Sequence, residues 1–170
     1  MSNIDSVILK EFVDDSKGLI TSAIELLESI ETDFSKVQML QRYVNQMDHI
    51  MGVAKNLALL VPKNHPLVLI CDYTALCKSV GYKASQISDN ADFYYVCVAL
   101  LLDATETLNV LISNMDRTVE QLKKNISSTF IDRLRWVSHQ FNENFQASAP
   151  LDRQPLKQDE IDVLMKKLGV

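Results

Sequence analysis

The sequence predicts an all-α protein, an antiparallel helical bundle of the four-helix type with an additional fifth helix and a flexible C-terminal tail. Apolar residues recur at three- and four-residue spacing along most of the 170 residues, which is the period of amphipathic helices. Strand-like alternation is nearly absent, and only four glycines and four prolines occur. With 47% hydrophobic residues the chain can fill one core, but it is too short for two ordinary domains.

Five helices are predicted, most of them bounded by capping or helix-breaking residues. Glu31-Thr32-Asp33 and Ser88-Asp89-Asn90 offer capping side chains, and Pro66 suits the first turn of a helix. The fourth helix is apolar nearly all round, so we expect it to be the most buried. The predicted helices cover residues 4–30, 34–61, 66–87, 91–115 and 116–145, followed by a proline-containing linker over 146–157 and an amphipathic segment over 158–170.

Composition excludes several classes of function. The net charge of -5 and the scattered basic residues argue against nucleic-acid binding. No apolar window is long enough for a membrane span and no export signal is visible, so we expect a cytoplasmic protein. Cys71, Cys77 and Cys97 lie in apolar patterns without a CxxC pair and are expected to be reduced core thiols. Neither a metal site nor a phosphate-binding glycine loop is predicted.

The second helix carries a polar stripe, which we define as Gln41, Asn45, Asp48, Gly52 and Lys55. At about 100° per residue these positions fall within roughly 60° of Asp48, and apolar residues cover the opposite side. The simplest interpretation is a solvated helix face. Gly52 resists it, because alanine would favour the helix by up to about 1 kcal/mol, and an exposed position without a side chain allows a partner to approach closely.

The stretch NQMDHIMGVAKNL (residues 45–57) resembles the Hpt-type phosphotransfer domains, such as the N-terminal domain of the chemotaxis kinase CheA, with their pattern H-x-[IL]-K-G-x-A. Aligning Gly52 with the pattern's glycine places Asp48 at the phosphohistidine position and Met51 at the lysine. An aspartate lacks the imidazole nitrogen that relays phosphate. The resemblance, which covers residues 4–115, therefore implies docking of a response regulator without relay. In an alternative register His49 is the phosphoacceptor.

The C-terminal segment QDEIDVLMKKLGV is an amphipathic helix pattern, too short to be stable alone in water. It resembles the C-terminal peptide of the chemotaxis phosphatase CheZ, D-x-[IV]-D-x-L-[LM]-x-x-L-G-x, and the QDEID stretch of the flagellar switch protein FliM, which both bind the regulator CheY. The resemblance implies a CheY-binding tail that orders only against a partner groove. The alternative is a terminal helix that packs on its own bundle. The residues that match the CheZ pattern are Asp159, Ile161, Asp162, Leu164, Met165 and Leu168.

These signals predict a chemotaxis protein that binds phosphorylated CheY and promotes its dephosphorylation. Asn45 or Gln41 would orient water, Asp48 would contact a lysine of the regulator, and Gly52, Lys55 and His49 would contact its surface. The protein needs no cofactor of its own, since the regulator holds the Mg²⁺.

Three alternatives stay open. A weaker catalytic pair, Glu106 and Asn109, matches an E-x-x-N pattern of another chemotaxis phosphatase family. The protein is otherwise a non-catalytic adaptor, or a phosphotransfer protein that uses His49. The apolar positions of the fifth helix either extend the core or form a homodimer interface.

Overall fold

A computed structural model describes residues 4–145 and 158–169, so the predicted linker at 146–157 lies outside the described residues. Every element in the described part is helical, which confirms the all-α prediction. The elements are α1 Ser6–Ile30, a 3-10 helix Phe34–Met39, α2 Leu40–Ala58, α3 Pro66–Ser85, α4 Ala91–Ser113, α5 Val119–Lys123, α6 Ser128–Phe145 and α7 Gln158–Lys167.

Local capping explains where the helices begin. The Asp33 side chain accepts from the Ser35 backbone N–H and starts the 3-10 turn, and Asn90 accepts from the Phe93 N–H to start α4. His65 Nδ1 accepts from the Leu67 N–H at 3.2 Å, with Pro66 in the first turn of α3. The predicted capping segments and the role of Pro66 are therefore confirmed.

Helices α1 to α4 form an antiparallel bundle in which each helix packs against its neighbours in chain order and α4 closes against α1. The antiparallel sense is visible between α2 and α3, where Asp48 meets Lys78 and the later residue Met51 meets the earlier residue Cys71. Short connections dictate this arrangement, because successive helices must reverse direction.

The remaining helices form a second layer on the side of α3 and α4. Helix α6 packs on α4, and α7 packs on α3 and α6. Consequently α3 buries 13 of its 20 residues and α4 buries 11 of its 23, so the expectation that α4 is the most buried helix was wrong. The reason is that α3 buries small and polar residues, among them Thr74, Ser79 and Gly81, which do not read as apolar in the sequence.

The second and fifth predicted helices differ most from the structure, while the bounds of the other three predicted helices lie within two residues of the observed ones. The second helix begins as a 3-10 helix and ends at Ala58 rather than at residue 61. The predicted fifth helix is broken into α5 and α6, since a capping box at Thr118 starts the first and Ser127 Oγ accepts from the Phe130 N–H to start the second. The apolar residues of this region are buried in the chain's own core, including Leu122, Phe130, Leu134, Val137 and Phe141.

Tyr43 fixes the position of α2 against α3. Its ring packs on Gly81, where a Cβ atom would lie 2.8 Å from Cδ1 of the tyrosine. Its hydroxyl lies 2.9 Å from Thr105 Oγ1 on α4, and burial raises its pKa well above the usual range. Gly81 is therefore required by close packing, since any side chain would displace a buried ring.

The thiols and the apolar helix α4 are core features. Cys77 and Cys97 are buried in the core as predicted, whereas Cys71 is only half-buried, and burial raises the pKa of Cys77 to about 12. Contrary to the expectation that no apolar window is long enough for a membrane span, α4 alone among the described helices could cross a membrane by length and composition. Half of the relevant window is buried inside the bundle, which is compatible with a core helix of a soluble protein.

Candidate functional site

The polar stripe of α2 faces outward as predicted. Gln41, Asn45, Asp48 and Lys55 are exposed, while Gly52 is partly covered. On the opposite side of the helix, the buried residues are Leu40, Tyr43, Val44, Met47, Ile50 and Ala54. The bundle therefore presents these polar groups on a helix whose own position is held by core packing.

Two amide side chains lie together near the N-terminal end of the stripe. Gln41 Nε2 donates to Asn45 Oδ1 at 3.4 Å, across one turn of α2. Asp48 follows Asn45 by three residues, a spacing that brings side chains onto the same face. The arrangement provides hydrogen-bond donors and acceptors that can orient a water molecule at the helix surface.

Asp48 is paired with a cation that the sequence did not reveal. Its carboxylate accepts from Lys78 Nζ of α3 at 2.5 Å, with the two side chains 55% and 31% exposed. An ion pair this exposed contributes about 0–1 kcal/mol, so an incoming lysine can replace Lys78. Nothing in the sequence of α3 marks Lys78, because only the packing of α2 against α3 brings it to Asp48.

Gly52 lies beside open space. A Cβ atom built at this position would meet no atom within 4 Å, and the same holds for Gly18 on α1. The contrast with Gly81 shows that no contact inside the bundle requires a glycine at position 52. His49, about 100° around the helix from Asp48, is also exposed.

Helix α7 is docked on the bundle through the residues that match the CheZ pattern. Ile161, Met165 and Leu168 are 0%, 5% and 1% exposed, and Leu164 is partly buried against the same core. Asp162 faces solvent, whereas the side chain of Asp159 lies outside the described part. The expectation that this segment orders only against a partner was wrong, because α3 and α6 already provide a groove for its apolar face.

A loose ion pair lies at the C-terminal end of α7. Lys167 Nζ is 3.9 Å from the Asp72 carboxylate of α3. Burial raises the pKa of Asp72, and the nearby Lys167 only partly offsets that effect. The burial of apolar side chains, worth about 1.5–3 kcal/mol for each, therefore outweighs this contact in holding α7.

The end of the polar stripe and the end of α7 approach the same part of α3. Burial is the largest influence on the Cys71 thiol and raises its pKa, and both Lys55 of α2 and Lys167 of α7 lie near enough to lower it. The two predicted binding regions are thus neighbours around the N-terminal half of α3.

The alternative pair Glu106 and Asn109 shares one face of α4 through its i, i+3 spacing, but the two side chains differ in exposure. Glu106 is exposed and lines an open groove of about 470 Å³ between α4 and α6, whereas Asn109 is partly buried and outside that lining. The groove also holds the ion pair between Asp103 and Arg133.

No described group of three or more His, Cys, Asp or Glu side chains is placed to hold a metal ion. Comparison of the chain with protein-family models, with curated proteins and with solved structures gives no match. The features of the chain that bear on its function are therefore the polar stripe and α7, together with their sequence resemblances.

Proposed function

We propose that this protein binds a phosphorylated CheY-type response regulator in the cytoplasm and promotes its dephosphorylation. The observation that carries the proposal is the polar stripe, where Gln41, Asn45 and Asp48 stand exposed on one face of α2 beside the open position of Gly52. The resemblance of α7 to CheY-binding peptides supports the same partner.

The chemistry asked of the stripe is modest. The regulator supplies the Mg²⁺ and the phosphoryl group, and the amide of Asn45 or Gln41 orients a water molecule in line with the phosphorus. The water oxygen forms a new bond to phosphorus as the bond to the regulator's aspartate oxygen breaks, which releases inorganic phosphate. Asp48 exchanges Lys78 for a lysine of the regulator and so fixes the orientation of the complex.

The test is to mix the protein with regulator labelled on its phosphoryl group and to follow the label. Release as inorganic phosphate faster than from the regulator alone supports a phosphatase. An unchanged rate of loss, together with measurable binding, supports a non-catalytic adaptor. Label on this chain supports phosphotransfer to His49, and loss of that label in His49→Gln would assign it.

The adaptor is the second candidate because of one specific observation. Asp48 already has a cation, Lys78, on the neighbouring helix. If this pair persists in the complex, the carboxylate only shapes the docking surface. The Lys78→Met variant separates the two functions, since it leaves Asp48 available to the regulator and should raise affinity if exchange takes place.

A further inference from the structure

The apolar face of α7 is buried on the bundle and is also the face that would bind the regulator. The bundle buries Ile161, Met165 and Leu168 almost completely. The same three residues belong to the pattern through which the proposed function would recruit a regulator. Because one apolar face cannot be buried in two grooves at once, docking of α7 on its own bundle and capture of the regulator exclude each other.

We propose that the α3 face bearing Asp72 and Ser79 is an intramolecular receptor for α7, and that the regulator binds the tail only after α7 has left this receptor. The inference rests on the proposed function, since it describes how that function is held back. It adds a site, the groove on α3 and α6, and its occupant, residues 158–169 of the same chain.

The residues of α3 support the assignment of this face. Ser79 follows Asp72 by seven residues, two helical turns, so both lie on the same side of α3. Asp72 reaches Lys167 of α7, and Ser79 is buried although serine is usually exposed. Lys78, which reaches Asp48 of α2, lies about 120° around the helix from Asp72.

The docked helix can be released. It has ten residues, too few for a stable helix in water, so its order depends on the groove. Its polar edge is held by the loose pair of Lys167 and Asp72 at 3.9 Å. Only twelve residues of chain separate α6 from α7, so a released α7 remains covalently tethered near the groove, which favours its return.

Docking lowers the apparent affinity for the regulator. A partner that binds only the undocked form sees an affinity reduced by the undocked fraction, so a fraction of about one in a hundred weakens binding about a hundredfold. A regulator captured by the released tail stays close to the bundle and its polar stripe, because the chain between α6 and α7 tethers the tail.

The first measurement is amide hydrogen exchange of α7 in the full-length chain without regulator. We expect the amides of residues 162–168 to exchange at least about tenfold more slowly than in an unstructured peptide of this sequence. Exchange at the unprotected rate would overturn the proposal without bearing on whether a regulator binds.

The second measurement uses Ser79→Arg, which leaves the tail sequence intact and fills the receptor with a large charged side chain. Its matched control is Ser88→Arg, an exposed position beyond the end of α3 with the same change in size and charge. We expect Ser79→Arg to abolish protection of α7, to keep that of α1 and α4, and to bind beryllofluoride-activated CheY at least about fivefold more tightly than the control.

Each outcome bears on the proposal. Retained protection of α7 in Ser79→Arg would show that this face is not the receptor. Lost protection with unchanged or weaker binding would show that docking does not compete with the regulator. If α1 and α4 also lose protection, the variant is unfolded and the binding kinetics of the wild-type protein provide the test instead. Competition requires the observed binding rate of the wild type to level off at high regulator concentration. A protected α7 in a chain that binds no regulator would leave the docking intact and refute the proposed function instead.

Discussion

The polar stripe of α2 and the apolar face of α7 differ in what covers them. The stripe is largely exposed, with Asp48 paired to Lys78 of α3, whereas α7 buries three apolar residues on α3 and α6. A polar, exposed surface is open to a partner but gains little from burial, whereas the apolar face of α7 is already buried. A partner can therefore reach the stripe while α7 stays docked, but it can reach the apolar face of α7 only by displacing it.

Asn45→Ala tests the proposed catalytic role of the polar stripe, and we expect it to have a larger effect than any other change. Removing a positioned hydrogen-bonding group lowers rates by about 100-fold in well-studied enzymes, so accelerated phosphate release should fall by about that factor while binding persists. Stopped-flow measurement of phosphate release checks the rate. The control is Asn56→Ala, about 16 Å farther along α2, which should retain activity. Full activity in both Asn45→Ala and Gln41→Ala would mean that the site lies elsewhere.

Deletion of residues 158–170 tests the proposed role of α7 in binding the regulator. Affinity for the phosphorylated regulator should fall at least about tenfold, or 1.4 kcal/mol, because only the stripe is left to bind. Fluorescence anisotropy with labelled regulator measures the change. Equal or tighter binding without the tail would contradict recruitment by α7.

Alanine substitutions at Gly52 and Gly81 test whether the stripe has room for an added side chain and whether the core beside it has none. Gly81→Ala should destabilise the protein by about 1–3 kcal/mol, because the new Cβ meets the ring of Tyr43 at 2.8 Å. Gly52→Ala should stabilise it by up to about 1 kcal/mol through helix propensity, yet weaken regulator binding. Urea unfolding measures both stabilities.

Gly18→Ala is the control for the binding effect. It also points into open space, so it should give a similar gain in stability without loss of binding. Equal binding by the variants at positions 18 and 52 would show that no partner approaches Gly52 closely.

The smallest expected effect is the pH-dependent contribution of Asp72 to the stability of the protein. Because burial raises its pKa above 3.8, the folded protein binds this proton more tightly than the unfolded chain. The contribution of Asp72 to stability is therefore greatest below about pH 3.8 and is lost as the pH rises through the raised pKa. At pH 7 the free energy of unfolding of Asp72→Asn should equal that of the wild type or exceed it by less than about 1 kcal/mol. Near pH 3 the variant should have no advantage in stability. Thermal unfolding at both pH values checks this, and a loss of stability at pH 7 would contradict it.

Much of the fold follows from local chemistry in the sequence. The helical period, the caps at Asp33 and Asn90 and the proline at position 66 define most helices and the outward direction of the stripe. The break at Ser127 was hidden because the apolar spacing continues across it. The burial of α3 was underestimated, since its second face carries Ser79 and Asp72 rather than large apolar residues, and its cover comes from a distant segment.

The site was predictable only in part for the same reason. The positions of Gln41, Asn45 and Asp48 depend on one helix and its period. The ion pair of Asp48 with Lys78 and the docking of α7 on α3 and α6 depend on contacts between helices, which the sequence of a single helix does not reveal.

The most direct test of the central claim is the rate of phosphate loss from labelled, phosphorylated CheY with and without this protein. We predict that inorganic phosphate appears faster in its presence, with no label on the chain, and that Asn45→Ala returns the rate to that of CheY alone. An unchanged rate at protein concentrations that saturate binding would contradict the claim.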